Sequence, residues 1–350
     1  MAGAMTVREQ LERDEERRLH PRAARSADTR GRERPLAPDD LRPAYQRDRD
    51  RILHSKAFRR LKGKTQVFLA PVGDHYRTRL THTLEVAQVA RTIALALRLN
   101  ETLVEAMALG HDLGHTPFGH AGERVLNEIV AGGFHHAPQS VRVVEVVERD
   151  GVGLNLTLET RDGILKHTKG RGKVLMAGAG LRALTLEAEV VRLADIIAYV
   201  CHDLDDAIRG KFLAAPDVPP EIREVIGSDH GSRIATFVED VVRHSDLDQV
   251  DHVGMSGEVH QALLALRDFL YTRVYESPSV RGEFEKTSKV LRELHGHFLA
   301  DGGQRLRALW VPRRDGEELE RAVVDFLSGM TDGYAIRIYQ ELFLPRAWEA

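Results

Sequence analysis

Apolar side chains recur at three- and four-residue spacing over most of the chain beyond Asp50, the period of amphipathic helices. Leu80, Leu84, Ala87, Ile93 and Leu97 predict a helix over about 79–98. Asn100 is placed to cap a second helix that buries Leu103, Val104, Met107 and Ala108. Pro117 ends helicity, so residues 114–119 are expected to form a tight loop opening a third helix near His120, which Gly132 and Gly133 then break. Residues 187–209 read as one long helix, apolar on most faces through Val190, Val191, Leu193, Ile196, Ile197 and Val200, and therefore buried. Alternating strand patterns are scarce, residues 65–69 being the single short candidate, and no internal repeat is found. The pattern predicts an all-α fold.

Residues 7–51 differ in character. They are dense in mixed charge, poor in large apolar groups, and broken by Pro21, Pro35, Pro38 and Pro43. Acidic residues interleave the arginines, which favours a solvated or partner-packed arm over a nucleic-acid-binding one. The expected organisation is a mobile N-terminal arm over 1–50, packed on the core or a partner subunit, and a single helical domain over 51–350. The Gly- and Lys/Arg-rich stretch 168–180 is expected to be a mobile loop. Its run Lys169-Gly170-Arg171-Gly172-Lys173 is read as solvated, with phosphate, a regulatory nucleotide or a DNA strand as the alternative contacts.

Composition narrows the classes further. A chain of 350 residues buries a sizeable core, and aromatics at 6% with abundant Leu, Val, Ala, Arg and Glu favour helix over sheet. A net charge of -3 gives no overall pull toward nucleic acid or membrane. The single Cys201 excludes an internal disulfide and fits a reducing cytosol. No run of about twenty apolar residues is present, and residues 1–10 lack a signal-peptide hydrophobic core.

The chemistry concentrates in His111-Asp112-Leu113-Gly114-His115-Thr116-Pro117-Phe118-Gly119-His120, where three imidazoles and a carboxylate follow an apolar helix. Imidazole and carboxylate together suit Mn, Fe, Co, Ni or Zn, and they carry protons at neutral pH. The residues point to a metal-dependent hydrolase. His111 and Asp112 reach a common ion only if the helix end unwinds, which Pro117 and the two glycines favour. Asp195 falls within the buried helix, where a carboxylate is normally paired or coordinating a metal. Arg192 and Arg209 are its alternative partners. His82 lies on the helix that begins near Arg79, one turn after that arginine, so three separate helices can bring two histidines and two aspartates together.

The ordered set His82, His111-Asp112, Asp195 resembles the HD phosphohydrolase superfamily, and the closer match is to bacterial deoxyguanosine triphosphate triphosphohydrolases and their deoxynucleoside triphosphatase relatives. The match is carried by residues 76–87, 111–123, Gln139-Ser140 and 193–206, and by Asp28-Thr29-Arg30-Gly31-Arg32 in the arm. It spans roughly residues 28–345. What it implies is an all-helical HD-type core with a C-terminal helical extension, a divalent metal (Mn²⁺, Mg²⁺, Co²⁺, Fe²⁺ or Ni²⁺) on His82, His111, Asp112 and Asp195, and a second ion arriving with the triphosphate. Family members cleave dGTP and other deoxynucleoside triphosphates at the α-phosphorus, giving deoxynucleoside and tripolyphosphate. Relatives commonly form hexamers or other closed oligomers, and modulation by single-stranded DNA stays an open expectation.

Roles follow for the remaining residues. A group near the departing 5′ oxygen must donate a proton, and His120 is the candidate acid, with Glu123 three residues on to hold its other ring nitrogen. A pair with Arg124, or a first-turn helix charge, is the alternative for Glu123. His115 is expected as a phosphate contact or transition-state donor, or as a loop-stabilising partner of Thr116. His136 matches a family histidine, although Ala137 and His135 depart from the common pattern there and His135 is an alternative to it. By resemblance Arg79 touches nucleotide or phosphate, Tyr199 supports phosphate or sugar and discriminates against ribose, and Asp203 holds the 3′ hydroxyl. An ion pair with a nearby arginine is the other reading of Asp203. Ile196 stands where many relatives carry a polar residue, and Gln66 lies in the segment that approaches the base. Another HD phosphohydrolase (a 5′-deoxynucleotidase or phosphodiesterase) and a non-catalytic nucleotide sensor are the competing functions.

Overall fold

Side-chain caps set where helices begin in this chain. In the computed structural model, which describes residues 5–66, 77–168, 182–309 and 316–345, the first is α1 (Val7–Arg18), closed by a capping box between Thr6 and Glu9. There follow α2 (Ala44–Leu53), α3 (Lys56–Arg60), α4 (Arg79–Ala96) and α5 (Glu101–Gly110), the last capped by the Asn100 side chain on Leu103 N as its sequence predicts. Beyond the loop come α6 (Gly119–Ile129), α7 (His136–Arg142), α8 (Leu158–Lys166) and α9 (Leu186–Arg209). The chain continues with α10 (Pro220–Ile226), α11 (His230–Arg243) and α12 (Gly257–Leu270), which runs on into a π-helical turn over Tyr271–Tyr275. It ends with α13 (Pro278–Ala300), α14 (Gln304–Ala308), α15 (Leu319–Ser328) and α16 (Asp332–Phe343).

The fold is all-α, and the described residues contain no strand. Within the stretch 65–69, Thr65 makes one isolated antiparallel bridge, to Thr78, and residues 67–69 lie outside the described residues. The basic run Lys169 to Lys173 also lies outside them. No described helix is long and apolar enough to cross a membrane.

The helices group into two compact units. One comprises Met1–His54, His82–His111 and Asn155–Glu276. At its centre α9 packs against α5, α8, α11 and α12. Val190, Val191, Leu193, Ala194, Ile197 and Val200 are fully enclosed there, each large aliphatic stabilising the fold by about 1.5–3 kcal/mol. Ile196, which the apolar pattern counts among them, is half-buried beside Asp195. Residues 7–53 belong to this unit and carry α1 and α2. Their charges are used internally: Glu15 accepts from Ser26 N and Oγ, and Glu187 accepts from Ala24 N and Asn100 N. Arg32 pairs with Asp48, which also accepts from Thr157 N and Oγ1.

The other unit comprises Ser55–Thr81, Asp112–Leu154 and Ser277–Ala350. Its core is the contact of α13 with α6, α15 and α16. Phe118, Val125, Leu126, Leu291, Leu294, Phe298, Val323, Val324 and Leu327 fill it. This core holds the first turns of α6, and with them His120 and Glu123.

Candidate active site

Three histidines of the first unit converge on one carboxylate, that of Asp195. His82, on α4, lies with Nε2 3.1 Å from Asp195 Oδ1, and His111 Nε2 is 3.6 Å from the same oxygen. His111 donates its Nδ1 proton to the carbonyl of Ala108 at 2.6 Å, which fixes the tautomer and leaves Nε2 as the lone-pair nitrogen. His167, at the end of α8, does the same with the carbonyl of Ile164 at 2.8 Å, and its ring lies 4.9 Å from that of His111. Donor atoms of His111, His167 and Asp195 all fall within 4.8 Å of one another. Burial alone would raise the Asp195 carboxyl, but the His82 hydrogen bond and the imidazoles of His111 and His167 outweigh it and hold the group well below the carboxylate range. The arginine alternatives for Asp195 do not form: Arg209 pairs with Asp205, and Arg192 lies near Glu189.

This donor set suits a divalent ion. Imidazole nitrogens oriented through backbone carbonyls, next to an ionised carboxylate, are what Mn, Fe, Co, Ni or Zn accepts. Asp112 follows His111 directly in the chain, and α5 ends at Gly110 with His111 still in the right-handed helical conformation.

Farther along α9, Asp195, Tyr199 and Asp203 succeed each other at four-residue intervals on one stripe. Buried Asp203 accepts a hydrogen bond from the hydroxyl of Tyr275. The rings of Tyr199 and Tyr275 lie nearly parallel at 6.2 Å. Burial and the Asp203 carboxylate push the Tyr199 phenol up, keeping it neutral.

In the second unit, the residues gather around Glu123. Its Oε1 accepts from both the backbone N and Nδ1 of His136, each at 2.8 Å. Its Oε2 lies 3.8 Å from His115 Nε2 and 3.8 Å from His120 Nδ1. His115 and His136 stack at 4.5 Å, with an interplanar angle of 17°. His135 is mostly exposed and 4.0 Å from Glu123, so His136 is the direct partner of the two; Ala137 is buried beside it on α7. Arg124 pairs with Glu128 and leaves Glu123 to the histidines. Burial would raise Glu123, but the nearby His120 imidazole and the hydrogen bonds from His136 outweigh it and hold the carboxyl far below its ordinary range. The same bond, against burial, raises His136 above 6.5, whereas burial and then Arg79 push His115 well below it. The two stacked imidazoles are thus pushed in opposite directions, His136 toward its charged form and His115 toward its neutral one. The His120 side chain stands half in solvent.

Arg79 is buried and donates through Nη1 to Asp112 Oδ2 at 2.6 Å, while its Nε and Nη2 have no hydrogen-bond partner among the described residues. Gln66 is buried with Oε1 likewise unbonded there. His115 makes no hydrogen bond with Thr116, whose hydroxyl goes to Gly119 O. Two residues of this region carry no signal in the sequence. His167 is a single histidine at a helix end, and Tyr275 lies 72 residues beyond Asp203. Only a charged or aromatic residue at a helix terminus marks them, and such residues are common.

The chain is similar to known proteins over nearly its whole length. Residues 79–200 match the HD domain, and residues 253–341 match a phosphohydrolase-associated domain. A deoxyguanosinetriphosphate triphosphohydrolase-like protein of Caldanaerobacter subterraneus subsp. tengcongensis is 52% identical over 344 residues, covering 98% of each chain. A protein of the same description from Desulfatibacillum aliphaticivorans is 51% identical, over 97% of this chain and 99% of that one. Deoxyguanosinetriphosphate triphosphohydrolase-like protein 1 of Deinococcus radiodurans is 44% identical, over 97% of this chain and all of its own length.

Proposed function

The chain belongs to the HD-domain family of deoxyguanosinetriphosphate triphosphohydrolase-like proteins, and from that premise we propose that it hydrolyses dGTP and other deoxynucleoside triphosphates to deoxynucleoside and tripolyphosphate. The observation that carries the reading is the Glu123 carboxylate, with one oxygen on His136 and the other facing His115 and His120. A protein that only bound nucleotide would need no such proton-handling group.

In this reading His82, His111, Asp112 and Asp195 hold a divalent ion (Mn²⁺, Mg²⁺, Co²⁺, Fe²⁺ or Ni²⁺), and a second ion enters with the triphosphate. When bound, the ion supplies Lewis-acid polarisation of a phosphoryl oxygen and acidifies water. His120 is the general acid: Nδ1 faces Glu123, so Nε2 delivers the proton to the departing 5′ oxygen. His115, neutral and buried, donates a hydrogen bond to the phosphoryl group. Its stacked neighbour His136 stays cationic beside it. Arg79 offers its spare N–H groups to a phosphate oxygen. Tyr199 and Asp203 take the sugar, Asp203 by the 3′ hydroxyl, and Gln66 lies toward the base. We take the protein to be a cytoplasmic homo-oligomer with a hexamer as the favoured state, and single-stranded DNA to be a candidate modulator.

Product analysis tests this. Metal-stripped protein is given Mn²⁺, Mg²⁺ or Co²⁺ with each deoxynucleoside triphosphate, and products are resolved by ion exchange and phosphorus NMR. Deoxynucleoside with intact tripolyphosphate supports the proposal. Monophosphate with pyrophosphate would move the chain to the phosphodiesterase-like reading, and tight binding without turnover to a nucleotide sensor.

A further inference from the structure

The loop between α5 and α6 carries the chemistry, yet its own sequence gives it little rigidity. It contains Gly114 and Gly119, and α6 opens on Phe118, a left-handed residue (φ 64°) whose side chain cannot cap the helix. Something else must hold His115, His120 and Glu123 in register.

Three side chains from distant parts of the second unit hold the loop's main chain. Ser140 Oγ accepts from Gly114 N at 2.9 Å, and a Cβ at Gly114 would sit 2.2 Å from Ser140 N, so the two segments are in backbone contact. Lys64 donates from Nζ to the carbonyl of His115 and, at 2.7 Å, to that of Ser328. Asp332, the first residue of α16, accepts from Phe118 N at 2.9 Å through Oδ1. Its Oδ2 accepts from Thr65 N at 2.9 Å and from the Thr65 hydroxyl. Lys64 is 2% exposed, and burial, with Arg79 and Arg60 nearby, pushes its ammonium down to about 7. A methionine would fill that space without desolvating a charge, so the lysine is explained by the two carbonyls it satisfies. The Lys64 carbonyl in turn accepts from Arg79 N at 3.1 Å, which ties the first residue of α4 to the same point.

We propose that Lys64 and Asp332 are positioning residues, which fix the main chain at His115 and Phe118 and thereby set the distance of His115 from Glu123 and the entry into the helix that carries His120. Neither side chain is a member of the Glu123 cluster. The proposal rests on the reading that these histidines perform hydrolysis.

The test compares the Mn²⁺-loaded full chain with Lys64→Met, Asp332→Ala and, as a control, Thr65→Val, whose hydroxyl touches Asp332 and not the loop. Amide exchange of the 111–118 peptide is read beside kcat, KM and bound metal. In Lys64→Met and Asp332→Ala, loop exchange should rise about tenfold or more. Their kcat should fall about 10- to 100-fold, the loss expected of a misplacement near 1 Å, with KM and metal content within about threefold. Thr65→Val should stay within about threefold of wild type in every readout. Unchanged kcat in both variants, or a kcat loss without faster loop exchange, overturns the proposal. So does a fall in thermal stability with kcat and KM intact. If Lys64→Met does not fold, Asp332→Ala decides alone. If the wild type turns over no deoxynucleoside triphosphate while loop exchange still responds, the proposed function has failed and the clamp has not.

Discussion

Glu123 binds His136 twice through a single oxygen, accepting from its backbone N and its Nδ1 at 2.8 Å each. The second carboxylate oxygen is left to His115 and His120, both at 3.8 Å. One acid therefore sets the charge of one imidazole and the orientation of two others.

The pH dependence of stability should report this pair. The depressed Glu123 contributes stability above its unfolded value near 4.5 and loses it as pH falls toward the folded value; the raised His136 contributes below 6.5 and loses it as pH rises through the folded value. The difference in Tm between wild type and Glu123→Gln should thus be greatest between those two values and shrink on either side. An equal difference at acid, neutral and alkaline pH would show that the pair does not charge.

Loss of either aspartate should remove the metal. Asp112→Ala and Asp195→Ala are expected to bind well under a tenth of the wild-type metal, as elemental analysis of dialysed protein would read, and to lose turnover with it. Full turnover in either variant would reject it as a ligand.

His120→Ala should separate proton transfer from metal binding. A lost general acid lowers kcat by roughly a hundredfold or more, with metal content unchanged. Metal loss in this variant would make His120 a ligand instead.

Tyr275 donates to Asp203 and its ring stacks with that of Tyr199, so in the proposed reading it would form a third wall around the sugar. Tyr275→Phe removes the hydrogen bond alone and should raise KM by about three- to tenfold, with kcat nearly kept. Tyr199→Ala should instead narrow the ratio of kcat/KM between deoxy- and ribonucleotides. An unchanged ratio would reject its part in sugar choice.

The helices were legible because their information is local. A 3.6-residue period marks α4, α5 and α9, Asn100 marks a start, and Pro117 with its glycines marks the loop. Within the stretch 65–69, Thr65 N goes to the side chain of Asp332, a partner the sequence does not reveal, and residues 67–69 lie outside the described residues. The charges of residues 7–53 looked solvated, since periodicity does not reveal that Arg32 meets Asp48 or that Glu15 meets Ser26. Arg79 was expected to face phosphate, and it also meets Asp112, a pairing 33 residues apart. His167, Tyr275, Lys64 and Asp332 escaped for the same reason: each matters through a partner that only the fold supplies.

The bond from Phe118 N to Asp332 joins residues 214 positions apart. A ribosome that has completed residue 331 has already made every candidate ligand and every histidine of the Glu123 cluster, but not the carboxylate on which the loop's last amide rests. Synthesis must therefore reach α16, more than two hundred residues downstream, before the loop can take its final shape.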